Sequence, residues 1–254
     1  MRLESITLHL RPRRPYEAMD LGVRLMQRNA RAVYRAWIAF VVPLCLAALT
    51  LLSVNSSLAV LVIWWLKPLY DRMVLFVLAR AVFGEPTDLR DVSANWRSLI
   101  GNGLIWALTF RRFDFARSFM LPVYMLEGLK GKRRRERSRV LQKNTRGNAV
   151  LLTVAYVHIE QALVWSAVML LLLLVPQYSP SPFVGWFSGE EPSLAASLIF
   201  GGVYIVVLAV VEPFYVASGF TLYLNRRVAL EAWDIELDLR RNIPEQAPLA
   251  AAAE

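Results

Sequence analysis

Four long apolar stretches dominate the pattern of this chain, covering residues 37–54, 58–82, 150–175 and 194–224. Each is long enough to cross a hydrocarbon core of about 30 Å as a helix. None alternates with a two-residue period, and all exceed the length of a barrel strand, so helices are expected rather than strands. The prediction is an all-α, polytopic helical membrane protein: four transmembrane helices, with interfacial amphipathic helices between them.

The polar segments give the orientation. Residues 1–36 hold eight Lys or Arg, residues 83–149 hold fourteen, and residues 225–254 hold four. The connector at 53–57 and the segment 176–193 hold none, and the latter carries Glu190 and Glu191. Basic loops stay on the cytoplasmic side. Both termini and the large central loop are therefore expected in the cytoplasm. The chain divides into a cytoplasmic 1–36, spans at 37–82, a basic cytoplasmic loop at 83–149, spans at 150–224 and a cytoplasmic 225–254.

Composition narrows the partners. The chain has 254 residues, 56% of them hydrophobic, and a formal charge of +9. A basic, apolar chain points to nucleic acid or to a membrane, and the long apolar runs decide for the membrane. The basic run KGKRRRERSRVLQK, beginning at Lys130, lacks the aromatic platform a nucleic-acid site would add. It fits anionic lipid, at about 1 kcal/mol per basic residue. One cysteine, Cys45, excludes an internal disulfide, and the two histidines, His9 and His158, give no metal-ligand spacing. No cofactor motif is present.

Three polar regions carry further expectations. Residues 15–36 begin with a Pro at a helix start and read as a helix on the cytoplasmic membrane surface, although a plain positive-inside flank accounts for their arginines equally well. The apolar and aromatic stretch from Ile105 to Leu129 has too many charges to span. It should lie in the interface or re-enter shallowly, with Arg111, Arg112 and Arg117, like Lys132, Arg133, Arg134 and Arg135, toward lipid headgroups. The amphipathic segment after the fourth span offers Arg226, Arg227, Trp233, Asp234 and Glu236 to a protein partner, and a Pro/Ala-rich tail follows.

The candidate chemistry lies inside the apolar runs. Within 58–82 stand Lys67, Pro68, Asp71 and Arg72. Lys67 falls roughly 14 Å from the outer end of a 25-residue helix, near mid-depth. Asp71 follows one turn on. Pro68 breaks the helix and frees a carbonyl near Trp64, with the Lys67 ammonium as one expected partner. In the third span His158 and Glu160 enter to roughly 12 and 15 Å. In the fourth, Glu212 precedes a second helix-breaking Pro213, somewhat nearer the cytoplasm at the level of Arg72. An isolated charge at the bilayer centre costs about 2.5–3.5 kcal/mol on insertion scales. Lys67, Asp71, Arg72, His158, Glu160 and Glu212 are therefore expected in one buried polar cluster. Such a cluster either fixes helix register or forms a proton or substrate path.

The stretches WWLKPLYDRMVLFVLARAVFGE and EPFYVASGFTLYLNRRVALEAWDIEL resemble a group of bacterial inner-membrane proteins. In that group the membrane region often precedes a cytoplasmic or periplasmic domain. Relatives are commonly encoded beside a MoxR-type AAA+ ATPase, von Willebrand A-domain proteins and a transglutaminase-like protein. The resemblance implies a membrane subunit or anchor of an envelope-associated system in the bacterial inner membrane, with an ATPase or A-domain protein as partner. It supplies no catalytic residues. This chain ends soon after LDLRR, so the function of such a domain is expected either to be lacking here or to be supplied by a separate chain.

Three functions follow as expectations. The first is a scaffold or complex subunit without enzyme activity. The second is a small proton-coupled transporter or channel, which with four spans per chain would be a homodimer. The third, weaker, is an enzyme on lipid-linked substrate, with Arg111, Arg112 and Arg117 on phosphate and an intramembrane carboxylate as base.

Overall fold

The computed structural model describes residues 11–53, 55–101, 103–174 and 194–231, and these residues form helices and turns without a strand. Helices α1 (Pro15–Arg28) and α2 (Ala30–Ala36) lead through a π-helical turn, Trp37–Val41, into α3 (Val42–Leu49) and a 3-10 turn, Thr50–Ser53. Next come α4 (Ser56–Trp65) and α5 (Lys67–Val82). The central loop folds into α6 (Leu89–Ala94), α7 (Trp96–Gly101), α8 (Leu104–Leu108), a 3-10 turn at Phe110–Phe113, α9 (Arg117–Met125) and α10 (Gly131–Gln142). Two long helices, α11 (Arg146–Leu174) and α12 (Leu194–Glu231), complete the described chain.

Three helical stretches are long and apolar enough to cross a membrane: Ala30–Leu52, Arg146–Leu171 and Leu194–Glu231. The second apolar run does not form the single crossing helix its length suggests. It is two helices of 10 and 16 residues that meet at Leu66 (φ −81°, ψ −3°). Each falls short of the roughly 20 residues a crossing needs. The cause is local. Pro68 has no N–H, and Leu69 N–H bonds to the Leu66 carbonyl at 2.9 Å, so the ladder restarts one turn later. At the far end of α4, Asn55 caps the helix by accepting from the Ser57 and Leu58 N–H groups at 2.9 and 3.2 Å.

The other expected break is absent. Pro213 sits inside α12, which runs through it from Leu194 to Glu231. Proline removes one backbone bond, and helices tolerate this where neighbours cover the gap. Pro213 is buried, as are Val211, Glu212 and Tyr215 around it.

Helix α12 is the hub, with α1, α5, α9 and α11 all packed on it. Two of these contacts are set by glycine. A Cβ on Gly22 would stand 2.5 Å from the Ser218 Cα, and one on Gly219 would stand 2.4 Å from the Ser118 Oγ. So α1 and α9 approach α12 at backbone distance. Ser218 Oγ donates to the Met19 carbonyl at 3.2 Å. The Asn225 amide brackets the backbone of Arg13, accepting from its N–H at 2.8 Å and donating to its carbonyl at 2.9 Å. Residues 15–28 bury Ala18, Gly22, Leu25 and Met26. Arg24, Arg28, Arg31 and Arg35 stay exposed around them.

Candidate functional site: an ion cluster at a broken helix

The break at Leu66 sets Lys67 at the first position of α5, with its side chain among α11 and α12. Its ammonium donates to Glu160 of α11 at 2.5 Å and pairs with Glu212 of α12 at 3.0 Å. The other oxygen of Glu212 accepts from Arg117, the first residue of α9, at 3.1 Å. Arg117 also donates through Nε to the Tyr215 hydroxyl at 3.3 Å, which in turn shares a hydrogen bond of 2.9 Å with Thr153 Oγ1 of α11. One turn on from Lys67, Asp71 is buried within electrostatic reach of Glu212, Arg117 and Lys67. Lys67, Asp71, Glu160 and Glu212 are all buried. Four elements, α5, α9, α11 and α12, thus meet through five charged side chains.

The freed carbonyls of the break have a different partner from the one expected. Arg112, on the turn before α9, donates to the Trp64 carbonyl at 2.6 Å and to the Trp65 carbonyl at 2.8 Å. Its guanidinium lies over the Trp64 ring, 3.4 Å from the centroid. Lys67 was expected there, but it is drawn to two carboxylates. A planar guanidinium spans two successive carbonyls in a way that a point-like ammonium does not.

Several other sequence expectations are corrected by these contacts. His158 stands two residues from Glu160, some 200° around the helix. It is exposed and bonds through Nδ1 to the Val154 carbonyl at 2.7 Å, outside the cluster. Arg72 is buried, but its guanidinium donates to the Leu99 carbonyl at the end of α7, at 2.8 Å. Arg112 and Arg117, assigned to headgroups, turn inward. Arg111 stacks over Tyr124 at 3.9 Å, and Arg134 approaches the same ring at 5.7 Å. Lys132, Arg133 and Arg135 on α10 are exposed.

Of the residues offered to a partner, Arg226 donates to the Leu141 carbonyl at 3.3 Å and Arg227 binds Glu231 at 2.6 Å. Both therefore bond within the chain. Trp233, Asp234 and Glu236 lie outside the described residues. Sequence reading missed Tyr215 and Thr153 as members of the site. The signal for Tyr215 was its position beside Glu212 and Pro213; nothing marked Thr153.

Space at the cluster is small. A cavity of about 30 Å³ lies between α5 and the α8–α9 segment, lined by Pro68, Asp71, Arg112 and Arg117 among others. Larger cavities lie elsewhere. One of about 400 Å³ is lined by Phe83, Glu127, Arg137, Phe220 and Tyr223, and one of about 460 Å³ by Arg35, Val77, Asp88 and Arg90. No group of His, Cys, Asp and Glu suited to a metal occurs among the described residues.

Among the described residues, fold and site together define an all-helical protein with three helices long and apolar enough to cross a membrane and a buried ion cluster. Comparison of the chain with family models, with curated proteins and with solved structures found no match to any of them.

Proposed function

We propose that the chain is a scaffold subunit of a bacterial inner-membrane complex, with the ion cluster as its central fastening. In this reading α4 and α5 cross the membrane together, about 39 Å of helix interrupted at Leu66. They supply the fourth crossing and place both described ends and the basic loop on the cytoplasmic side. The observation that carries the reading is that four of the five charged side chains of the cluster satisfy one another. Lys67, Arg117, Glu160 and Glu212 each take a partner from another element of the same chain. The cavities of about 400 and 460 Å³ among the described residues, wide enough for a small organic molecule, lie away from it. On the cytoplasmic side, the exposed cations of α10 meet anionic lipid, and a protein partner binds there. The ATPase or A-domain protein implied by the resemblance is the first partner to test.

The test is extraction from the native membrane in a mild detergent, followed by size-exclusion chromatography and mass spectrometry. A partner at fixed stoichiometry, retained through a second column, supports the scaffold. A chain that runs alone, as monomer or homodimer, removes that support. One observation favours a second reading, a proton-coupled transporter: a broken helix faces an irregular segment at the cluster, as in transporter sites. Purified protein that dissipates an imposed proton gradient in liposomes, and loses this on Glu212→Gln, would establish it. Absence of such flux would set it aside.

A further inference from the structure

Two series of contacts fix the path of the chain between α6 and α10. Along α5, Asp91 of α6 pairs with Arg80 at 3.7 Å, and the Leu99 carbonyl of α7 accepts from Arg72 at 2.8 Å. Arg112 then reaches the Trp64 and Trp65 carbonyls at the break. Each contact lies further from the Arg80 end of α5. Arg72 stands roughly 12 Å from Arg80 along the helix, and Trp65 roughly 10 Å beyond Arg72. Along α12 the chain comes back. Arg117 meets Glu212, Ser118 packs at Gly219, Glu127 accepts from Tyr223, and Arg137 binds Glu231. Glu212 and Glu231 are roughly 28 Å apart on the helix. The chain therefore runs in along α5, turns at Phe110–Phe113, and runs out along α12.

The turn lies level with the centres of the two long helices. Lys67, two residues from Trp65, bonds to Glu160, the fifteenth of the 29 residues of α11. It also pairs with Glu212, the nineteenth of the 38 residues of α12. A crossing helix has its centre near the bilayer midplane, about 15 Å inside the hydrocarbon boundary.

The surface of the turn fits that depth. Between Arg97 and Lys130 no described residue is an exposed charge. Arg111 lies on the Tyr124 ring, Arg112 on carbonyls and Arg117 on Glu212, while Asp114 accepts from the Ala116 N–H at 3.0 Å. The side chains turned outward are Ile105, Trp106, Phe110, Phe113 and Phe115, with Phe110 and Phe113 76% and 70% exposed. Thr109 is also exposed, and its hydroxyl donates to the Ile105 carbonyl at 2.8 Å. The backbone is closed on itself: the N–H groups of Thr109, Asp114 and Arg117 bond to the carbonyls of Ile105, Arg111 and Asp114 at 3.0, 3.2 and 3.1 Å. Irregular backbone at membrane depth needs such internal partners. A loop in water would show the opposite arrangement, with charges outward and aromatics inward. The apolar face continues onto α4, where Trp64 and Trp65 are exposed beside Arg112.

We infer that the chain from α7 to the start of α9 is a re-entrant segment whose tip reaches the bilayer midplane, where Ile105, Trp106, Phe110, Phe113 and Phe115 contact lipid acyl chains. The inference rests on α11 and α12 crossing the membrane, and it holds for a scaffold and for a transporter alike. It goes deeper than the shallow interfacial segment expected from the sequence, because the arginines grip carbonyls and a carboxylate in place of headgroups.

The test is photolabelling of the native full chain in vesicles of phosphatidylcholine and phosphatidylglycerol, with adducts located by mass spectrometry. One probe lipid carries a diazirine at the end of an acyl chain, the other a diazirine beside the headgroup. The ratio of acyl-end to headgroup adducts at residues 105–115 should match that at residues 157–163, the middle of α11, within about twofold. It should exceed the ratio at residues 147–151, where α11 starts. Adducts at 105–115 from the headgroup probe alone would make the segment interfacial and overturn the proposal. No adduct there from either probe, with the middle of α11 labelled, would mean that protein covers the face, and would overturn the lipid contact. A middle of α11 that takes no acyl-end adduct would remove the crossing itself, and this inference with it. No substitution is involved, so the folding of a variant does not enter.

Discussion

Two ion networks fasten α12 to its neighbours, and they differ mainly in how much water they meet. At mid-helix, Glu212 is held by Lys67 and Arg117, and the Lys67 and Glu212 side chains are 3% and 2% exposed. At the last turn, Glu231 is held by Arg137 and Arg227, and Arg137 and Glu231 are 23% and 24% exposed. The second network has the richer list of bonds. Arg137 reaches Glu127 at 3.0 Å, and the Tyr223 hydroxyl donates to Glu127 at 2.7 Å. Bond counts therefore suggest that the last turn matters more. Desolvation argues the reverse. A charge stranded in a dry interior has no water to fall back on, whereas one at a wet rim does. The chemistry is nearly the same at both sites, so the pair isolates burial as the variable.

The sharpest way to break that comparison is Glu212→Ala. It strands Lys67 and Arg117 together, with an expected loss of about 3–5 kcal/mol. We expect little monodisperse protein on extraction, and a low Tm in what survives. The double variant Lys67→Ala/Glu212→Ala should be milder than the sum of the two single changes, because it removes the stranded charge along with its partner. Additive losses, read from thermal unfolding in detergent, would show that the two side chains do not interact.

Next in size is Arg112, which supports the cluster without belonging to it. Arg112→Ala leaves the carbonyls of Trp64 and Trp65 without a donor at the break, a loss of about 1.5–3 kcal/mol per charge-assisted bond removed. Arg112→Lys should recover little, since one ammonium does not fork across two successive carbonyls. A lysine variant with the wild-type Tm would mean that charge, rather than shape, holds the break.

A third test leaves electrostatics aside. Gly22→Ala puts a methyl into the Ser218 backbone at the crossing of α1 with α12. Overpacking of this kind costs about 1–3 kcal/mol. The loss should appear locally, as faster proteolysis within residues 15–28, while the cluster keeps its stability. Unchanged cleavage would mean that α1 is held by its Arg13–Asn225 and Ser218–Met19 bonds alone.

These residues also show what could be read in advance. The apolar runs, the break at Pro68 and the burial of Lys67 opposite Glu160 and Glu212 were legible, because chain length against bilayer thickness and the cost of a lone charge leave few solutions. Arg112 and Arg117 were not. Their segment carries arginines among aromatics, and that pattern is the same whether the guanidinium meets a phosphate or a freed carbonyl. Only the tertiary fold supplies the carbonyl. The same limit applies to α1. Ala18, Gly22, Leu25 and Met26 mark an apolar face, and a face does not say whether lipid or helix covers it. Gly22 was the one hint, since a glycine in mid-helix is costly unless something approaches closely. Pro213 misled for the converse reason: a proline weakens a helix locally, but packing on α12 decides whether the helix ends.

The smallest expected effect completes the comparison at the wet network. Arg137→Gln removes the cation between Glu127 and Glu231, yet both acids keep a partner. Tyr223 still donates to Glu127, and Arg227 still holds Glu231. The pair is about a quarter exposed, so water solvates what is left, and the loss should be about 0–1 kcal/mol. It should also shrink with salt, because the Debye length falls from about 10 Å at 0.1 M to about 3 Å at 1 M. The Tm difference between wild type and Arg137→Gln should therefore close as sodium chloride rises, while the difference for Glu212→Gln stays open. Equal salt responses at the two sites would mean that water reaches Lys67 and Glu212 as freely as it reaches Arg137, and burial would no longer separate the two networks.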